Sequence, residues 1–411
     1  MPHAVAPTRG RILASSLARL LGLGLASLAL GWPVMVRGAE ATQERSVDTS
    51  PPPDDASLTL EQLREAYSRP PVEWPAVVVD EAVADEVVEL GLLPEVPYPA
   101  ENPWSQAKED LGRQLFYDPR LSSTNQMACA SCHDPDLGWA DGRTVSFGRR
   151  RLELERNAPT AMNAGHQQRL FWDGRADSLE DLTLKVIENV DEMHGVGDAV
   201  AGKINAVPEY RRQVKEVFGH EEVTIEAVTE SVATFVRSIN GGSSDFDRFL
   251  KGRPEALSDA ALRGLHLFRT QAKCMNCHHG PTLSDHRLHN TGLSLYGRPD
   301  QDLGQYLITQ DPADVGKFKT PTLRHVSRTG PYMHHGLFES LIVTVRAYNG
   351  GMPEIRRRRG MEDDPLFPEK SPLLHELNLS PPQLDDLVAF LEALEEPHRR
   401  VVPPELPPFA E

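Results

Sequence analysis

Four cysteines occur in the 411 residues, and all four fall into Cys129-Ala130-Ser131-Cys132-His133 and Cys274-Met275-Asn276-Cys277-His278. Two thiols three residues apart on one turn can each form a thioether to a vinyl group of haem. The histidine that follows is then held under the iron as proximal ligand. Zinc would want four ligands per site where each motif offers three, and a redox Cys-x-x-Cys belongs in a βαβ pattern that this chain lacks. The implied chemistry is therefore two covalently bound haem c groups, anchored by Cys129, Cys132, Cys274 and Cys277, with His133 and His278 on the irons. Attachment of this kind takes place outside the cytoplasm.

Helices must present these turns. Gly112-x-x-Leu115-Phe116 precedes the first motif and Gly264-x-x-Leu267-Phe268 the second, a weak internal repeat. Ala107, Leu111 and Leu115 recur at helical spacing in the first, and Leu262, Leu265 and Phe268 in the second, with Ser258 as N-cap. Between the motifs, Ile225, Val228, Val232, Phe235, Val236 and Ile239 mark a further amphipathic helix. Near the end, Ser380-Pro381-Pro382 opens a helix carrying Leu384, Leu387, Val388, Leu391 and Leu394. Alternating strand patterns are scarce. The expected fold is all-α, with two cytochrome c-like haem domains in tandem over residues 103–250 and 251–400.

Sixty acids against 43 bases give a net charge of −17, and a surface this acidic repels phosphate backbones, so nucleic acid is excluded as a partner. Residues 1–39 run against that trend: Arg9, Arg11, Arg19 and Arg37 accompany no acid, and an apolar run, 20–36, leads to Ala39-Glu40-Ala41. This reads as an export signal cleaved near 39–41. The run contains Pro33 and is slightly short for spanning ~30 Å of hydrocarbon, which disfavours the alternative of a retained anchor. The expectation is a periplasmic protein without stable membrane insertion. Residues 40–102 form a Pro-rich lead-in and N-terminal extension, in which 77–90 is rich in valine and acid with no clear period.

Beyond the attachment motifs, the order of several segments resembles the bacterial di-haem cytochrome c peroxidases and their MauG-type relatives, over about residues 103–397. Phe171-Trp172-Asp173-Gly174-Arg175-Ala176 matches the family segment whose tryptophan lies between the two haems. Glu192, in Glu192-Met193, matches the distal glutamate that handles protons of peroxide at the N-terminal haem, although Lys185-Val186 stand where Gly-Pro is common. The resemblance also implies a Ca²⁺ site, with Asn157 as side-chain ligand and the carbonyls of Thr329 and Pro331.

Two positions bear on the branch. Fourteen residues past His334, where ordinary peroxidases have methionine as distal ligand to the second haem, this chain has Tyr348, as in the MauG-type branch. Met352, one helical turn on, is the rival ligand. A phenolate stabilises oxidised iron, whereas a thioether raises the potential. The loop Ser146–Arg151 lacks the removable histidine of many ordinary members, so the first haem is expected to be open without reductive activation. Against the MauG-type route, the surface tryptophan two residues before the second motif is Ala272 here.

The resemblance implies reduction of hydrogen peroxide at the first haem, with electrons passing through the second. The donor is a small periplasmic cytochrome c or cupredoxin, or a residue of a partner protein. The competing class is a non-catalytic di-haem electron carrier, whose irons would ignore peroxide.

Overall fold

The computed structural model describes residues 58–408. The expected export signal, 1–39, and the start of the expected lead-in, 40–57, lie outside the described residues. Eleven helices follow in order: α1 (Leu60–Tyr67), α2 (Gln106–Tyr117), α3 (Leu179–Glu188), α4 (Gly197–Asn205), α5 (Pro208–Phe218), α6 (Ile225–Ser238), α7 (Asp245–Leu250), α8 (Asp259–Arg269), α9 (Tyr306–Thr309), α10 (Leu341–Asn349) and α11 (Pro381–Glu392). The one ladder among the described residues pairs β1 (Leu288–His289) antiparallel with β2 (Phe318–Lys319). None of the described helices is long and apolar enough to cross a membrane.

Side-chain caps start most of the long helices. Ser105, Ser178, Thr224, Ser258 and Ser340 each accept the backbone N–H three residues on. Ser380 starts α11 through a capping box with Gln383.

Two apolar cores result. The first gathers α2 to α6, including Leu111, Leu115, Phe116, Ile187, Met193, Val232 and Phe235. The second gathers α7, α8, α10 and α11 with the segment 63–90. α7, just ahead of residue 251, buries Phe246 and Phe249 in the second core.

The two cores repeat one packing device. A Cβ at Gly112 would run into the Ser231 carbonyl and crowd Phe235, and a Cβ at Gly264 would run into the Asp386 carbonyl and crowd Phe390. Phe116, one turn past Gly112, meets Phe235 at 5.2 Å between ring centroids, and Phe268, one turn past Gly264, meets Phe390 at 5.2 Å. Only glycine lets these helix axes come so close. Each close pair fixes the helix that leads into one Cys-x-x-Cys-His turn.

The ambiguous segment 77–90 is a strap on the second core, irregular at both ends around a 3₁₀ helix at Glu81–Glu86 and without strand partners. Val79 and Leu90 are buried there. Its polar groups clasp the second motif. The Asp80 N–H donates to Asn276 Oδ1 at 2.9 Å, Asn276 Nδ2 donates to Asp80 Oδ2 at 3.0 Å, and Lys273 pairs with Asp80 at 2.6 Å.

Candidate active site and metal centres

Both attachment motifs fold as a short 3₁₀ turn, Cys129–Ser131 and Cys274–Asn276, that follows a glycine-packed helix in the chain. The His133 N–H donates to the Cys129 carbonyl at 3.1 Å, and the His278 N–H to the Cys274 carbonyl at 2.9 Å. All four thiols are free of disulfides. Burial pushes Cys129 up to about 12 and Cys132 up to about 11, so both sit there as neutral thiols.

The imidazoles are oriented alike. His133 Nδ1 lies 3.0 Å from the Trp139 carbonyl, and His278 Nδ1 lies 2.9 Å from the Leu283 carbonyl. A carbonyl only accepts, so Nδ1 carries the proton and Nε2 keeps its lone pair. Burial also holds both rings neutral. Two thiols and a neutral, fixed imidazole per turn are the donor set that covalent haem requires, and the residues fit the group.

Next to the second motif lies a cavity of about 250 Å³, bordered by Phe268, Cys274, Cys277 and His278. Leu341, Thr344, Val345 and Tyr348 line it from one face of α10, at the spacing that a helix imposes. Burial raises the Tyr348 phenol, and Cys277 and Cys274, which border the same cavity, raise it further. Met352 is 4% exposed, hydrogen-bonds through its backbone N–H to the Ala347 carbonyl, and is not among the cavity's lining residues.

Asn157, Thr329 and Pro331 border the same cavity, together with Trp172 and His334. Asn157 Nδ2 donates to the Arg143 carbonyl at 2.7 Å, which occupies the amide nitrogen and leaves the oxygen as the end suited to a cation. Trp172 Nε1 donates to the Asn157 carbonyl at 2.9 Å, and the Trp172 carbonyl accepts from the Lys319 N–H at 2.7 Å. The tryptophan is thus tied to segments of both halves. His334 stacks on Phe318 at 3.6 Å and meets Trp172 edge-on at 6.5 Å.

Glu192 sits on the turn between α3 and α4. Its neighbour Met193 is 2% exposed in the first core, and the Met193 carbonyl accepts from the Ser123 N–H at 2.9 Å, which anchors the turn beside the first motif. Glu192 Oε2 is buried with no hydrogen-bond partner. Burial pushes the carboxyl up to about 7, against the pull of Arg175 and a hydrogen bond from Asn189, with Asp191 adding to the rise. The charge of Glu192 in turn raises both Cys129 and Cys132. The loop without histidine packs straight onto this turn: the Arg149 N–H donates to the Asp191 and Glu192 carbonyls at 3.0 Å each. A Cβ at Gly148 would strike the Asp191 carbonyl, so the approach needs glycine.

The structure therefore brings Glu192 to the first motif, and Tyr348, Trp172 and the three candidate calcium residues to the second. His166 is half-buried with Nε2 unpartnered, and His289 Nε2 donates to Asp285 Oδ2 at 2.7 Å. Ala272 is 3% exposed. Two residues escaped the sequence reading. Lys319 borders the cavity and is pushed down to about 8 by burial. Arg175 lies in the same segment as Trp172, and its electrostatic pull on Glu192 is a property of the fold that no spacing reveals.

The chain is similar to known proteins over most of its length. The family model described as di-haem cytochrome c peroxidase matches residues 106–255. Cytochrome-c peroxidase IdrP1 of Pseudomonas sp. (strain SCT) is 35% identical over 340 residues, covering 76% of this chain and 86% of that protein. Methylamine utilization protein MauG of Methylorubrum extorquens is 36% identical over 313 residues, covering 76% of this chain and 85% of that protein. Among solved structures, a MauG-like protein associated with microbial copper homeostasis is 31% identical with a TM-score of 0.66, covering 74% of this chain and 93% of that chain.

Proposed function

This chain belongs to the di-haem cytochrome c peroxidase family and is a haem oxidoreductase, and from that premise we propose that it reduces hydrogen peroxide in the periplasm at the site of His133, with electrons relayed through the site of His278. The haems supply the redox chemistry and the iron on which peroxide is reduced. What the protein contributes is asymmetry between the two sites.

At the first site the residue facing the attachment turn is a carboxylate rather than a ligand. Glu192 takes a proton from one peroxide oxygen and returns it to the departing one. A carboxyl near 7 is suited to both directions of transfer. The single observation that carries this reading is Glu192 Oε2, buried and unpartnered on the turn between α3 and α4. Gly148 and Arg149 support an open site, because the loop that reaches Glu192 does so with backbone and brings no imidazole.

At the second site Tyr348 and His278, which border one cavity, would be the two protein ligands of a bound haem iron. The place of Tyr348 on the cavity face of α10, with Met352 outside the lining, supports the tyrosine over the methionine. An oxygen donor there makes this site a holder of oxidising charge. Trp172, hydrogen-bonded at both ends between the halves, is the aromatic bridge. Asn157, with the carbonyls of Thr329 and Pro331, holds one Ca²⁺ at the foot of that bridge.

The electron donor is a small periplasmic cytochrome c or cupredoxin, or a residue of a partner protein oxidised at a distance. Burial of Ala272 means that the second alternative needs an exit other than that position. Stoichiometric peroxide added to the ferric holoprotein tests the whole reading: a prompt change of the Soret band is expected. An unchanged band would leave an electron carrier without catalysis.

A further inference from the structure

We propose that Lys319 and Gln167 form a carboxylate-binding site in the cavity beside the second motif, and that its ligand is one of the two propionate groups of the haem held there. This rests on haem at the turn of His278, and it deepens that reading by assigning the residues that take the acidic edge of the cofactor.

The cavity has two chemically different sides. Phe268, Leu341, Val345, Leu387 and Leu391 supply an apolar one. Among the described residues no aspartate or glutamate borders it, although the chain carries 60 acids. Two lysines do. Lys273 is already paired with Asp80 at 2.6 Å. Lys319 donates to the neutral Gln167 Oε1 at 3.1 Å, and no carboxylate among the described residues pairs with it.

An ammonium has three donors, so two are left without a protein acceptor. Gln167 borders the cavity as well, and its Nε2 is buried with no partner. Because Oε1 accepts from Lys319, the free end of this amide only donates. A lone cation beside an unused amide N–H is costly to bury until an acceptor completes both. A carboxylate does so, accepting from the ammonium and from the amide at once. A flat apolar ring with acid groups along one edge therefore matches the lining, and haem is such a molecule.

The backbone holds both stems in place. Lys319 sits in β2 opposite Leu288 of β1, and its N–H donates to the Trp172 carbonyl at 2.7 Å. The Thr320 N–H donates to the Arg287 carbonyl at 2.8 Å, and the Gln167 N–H to the Ala164 carbonyl at 3.1 Å. The two donors come from segments 152 residues apart, so the site forms only when these segments meet.

The test uses holoprotein whose haem propionates are isotope-labelled at the carboxyl carbon. Infrared difference spectra read those carboxylates directly, and potentiometry followed at the low-spin signal reads the second haem. Lys319→Met and Gln167→Leu are each expected to shift the labelled carboxylate band of the second haem. Lys319→Met should also favour the oxidised form of that haem by about tenfold in its reduction equilibrium, because the propionate charge loses its counter-ion. Lys319→Arg keeps a cation and should stay within about threefold of wild type.

A labelled band that neither Lys319→Met nor Gln167→Leu moves overturns the proposal, and so does a response confined to the first haem. Where Lys319→Met does not fold, the band in Gln167→Leu decides alone. Neither measurement needs peroxide: a ferric wild type that ignores peroxide sinks the peroxidase reading, while the band still reports on Lys319 and Gln167.

Discussion

Gly112 packs against the Ser231 carbonyl, and this contact sets how closely α2 and α6 approach. Gly264 and Asp386 repeat it for α8 and α11. Gly112→Ala and Gly264→Ala are each expected to cost about 3 kcal/mol or more, because helix backbones must move apart. Thermal unfolding of the holoprotein followed by circular dichroism measures this. Gly202→Ala in α4, where a Cβ meets nothing within 4 Å, is the control and should be neutral or stabilising by up to about 1 kcal/mol.

Replacement of Glu192 by glutamine keeps the shape and removes the proton acceptor. The peroxide reaction is expected to slow by about 100-fold or more. Stopped-flow absorbance at the Soret band measures it, with haem content unaltered because no attachment residue changes.

The same carboxyl predicts a pH profile. It lies near 7, raised by burial, so its ionised fraction falls as pH drops through that value. The rate should therefore decline on the acid side, by about tenfold for each further pH unit. In Glu192→Gln this limb should be absent. A limb that persists in the variant belongs to another group.

For the second site, Tyr348→Phe should change the ligand-field signal of the low-spin haem in electron paramagnetic resonance, and raise its midpoint potential as the anionic oxygen is lost. Met352→Leu, a buried and volume-conserving swap outside the cavity lining, should leave both unchanged. The reverse pattern would assign the ligand to Met352.

The calcium site is tested by titration. The protein, freed of calcium with a chelator, is expected to take up one Ca²⁺, and Asn157→Leu should weaken that uptake by about tenfold or more. Since Asn157 also accepts from Trp172 through its backbone, Trp172 fluorescence should respond to calcium in the wild type.

Much of this architecture is readable in the residues because it is local. The attachment turns need only five consecutive positions, and the Gly-x-x-Leu-Phe repeat announces two equivalent helices. What the repeat does not announce is its other half. Ser231 with Phe235, and Asp386 with Phe390, are equivalent by packing, yet they share too few residue types to be matched in sequence. The strap 77–90 is equally opaque, because a segment broken by the 3₁₀ helix Glu81–Glu86, whose valines turn into a core while its polar atoms bind Asn276 and Lys273, obeys neither α-helical nor strand periodicity. Arg175 stood in plain view inside a quoted motif. Its electrostatic pull on Glu192 joins two segments far apart in sequence, and no local pattern announces it.

Arg156 carries a final consequence. Its guanidinium joins Asp173 of the first half to Asp302 of the second, and the three side chains are only 17, 4 and 13% exposed. Were the polypeptide severed between the two cores, one fragment would retain a cation stripped of its bidentate anion, and the other an acid facing emptied space. Losing one member of such a buried pair costs about 3–5 kcal/mol. Any fragment or chimera that parts these segments must therefore carry the Arg156–Asp173–Asp302 clasp across intact.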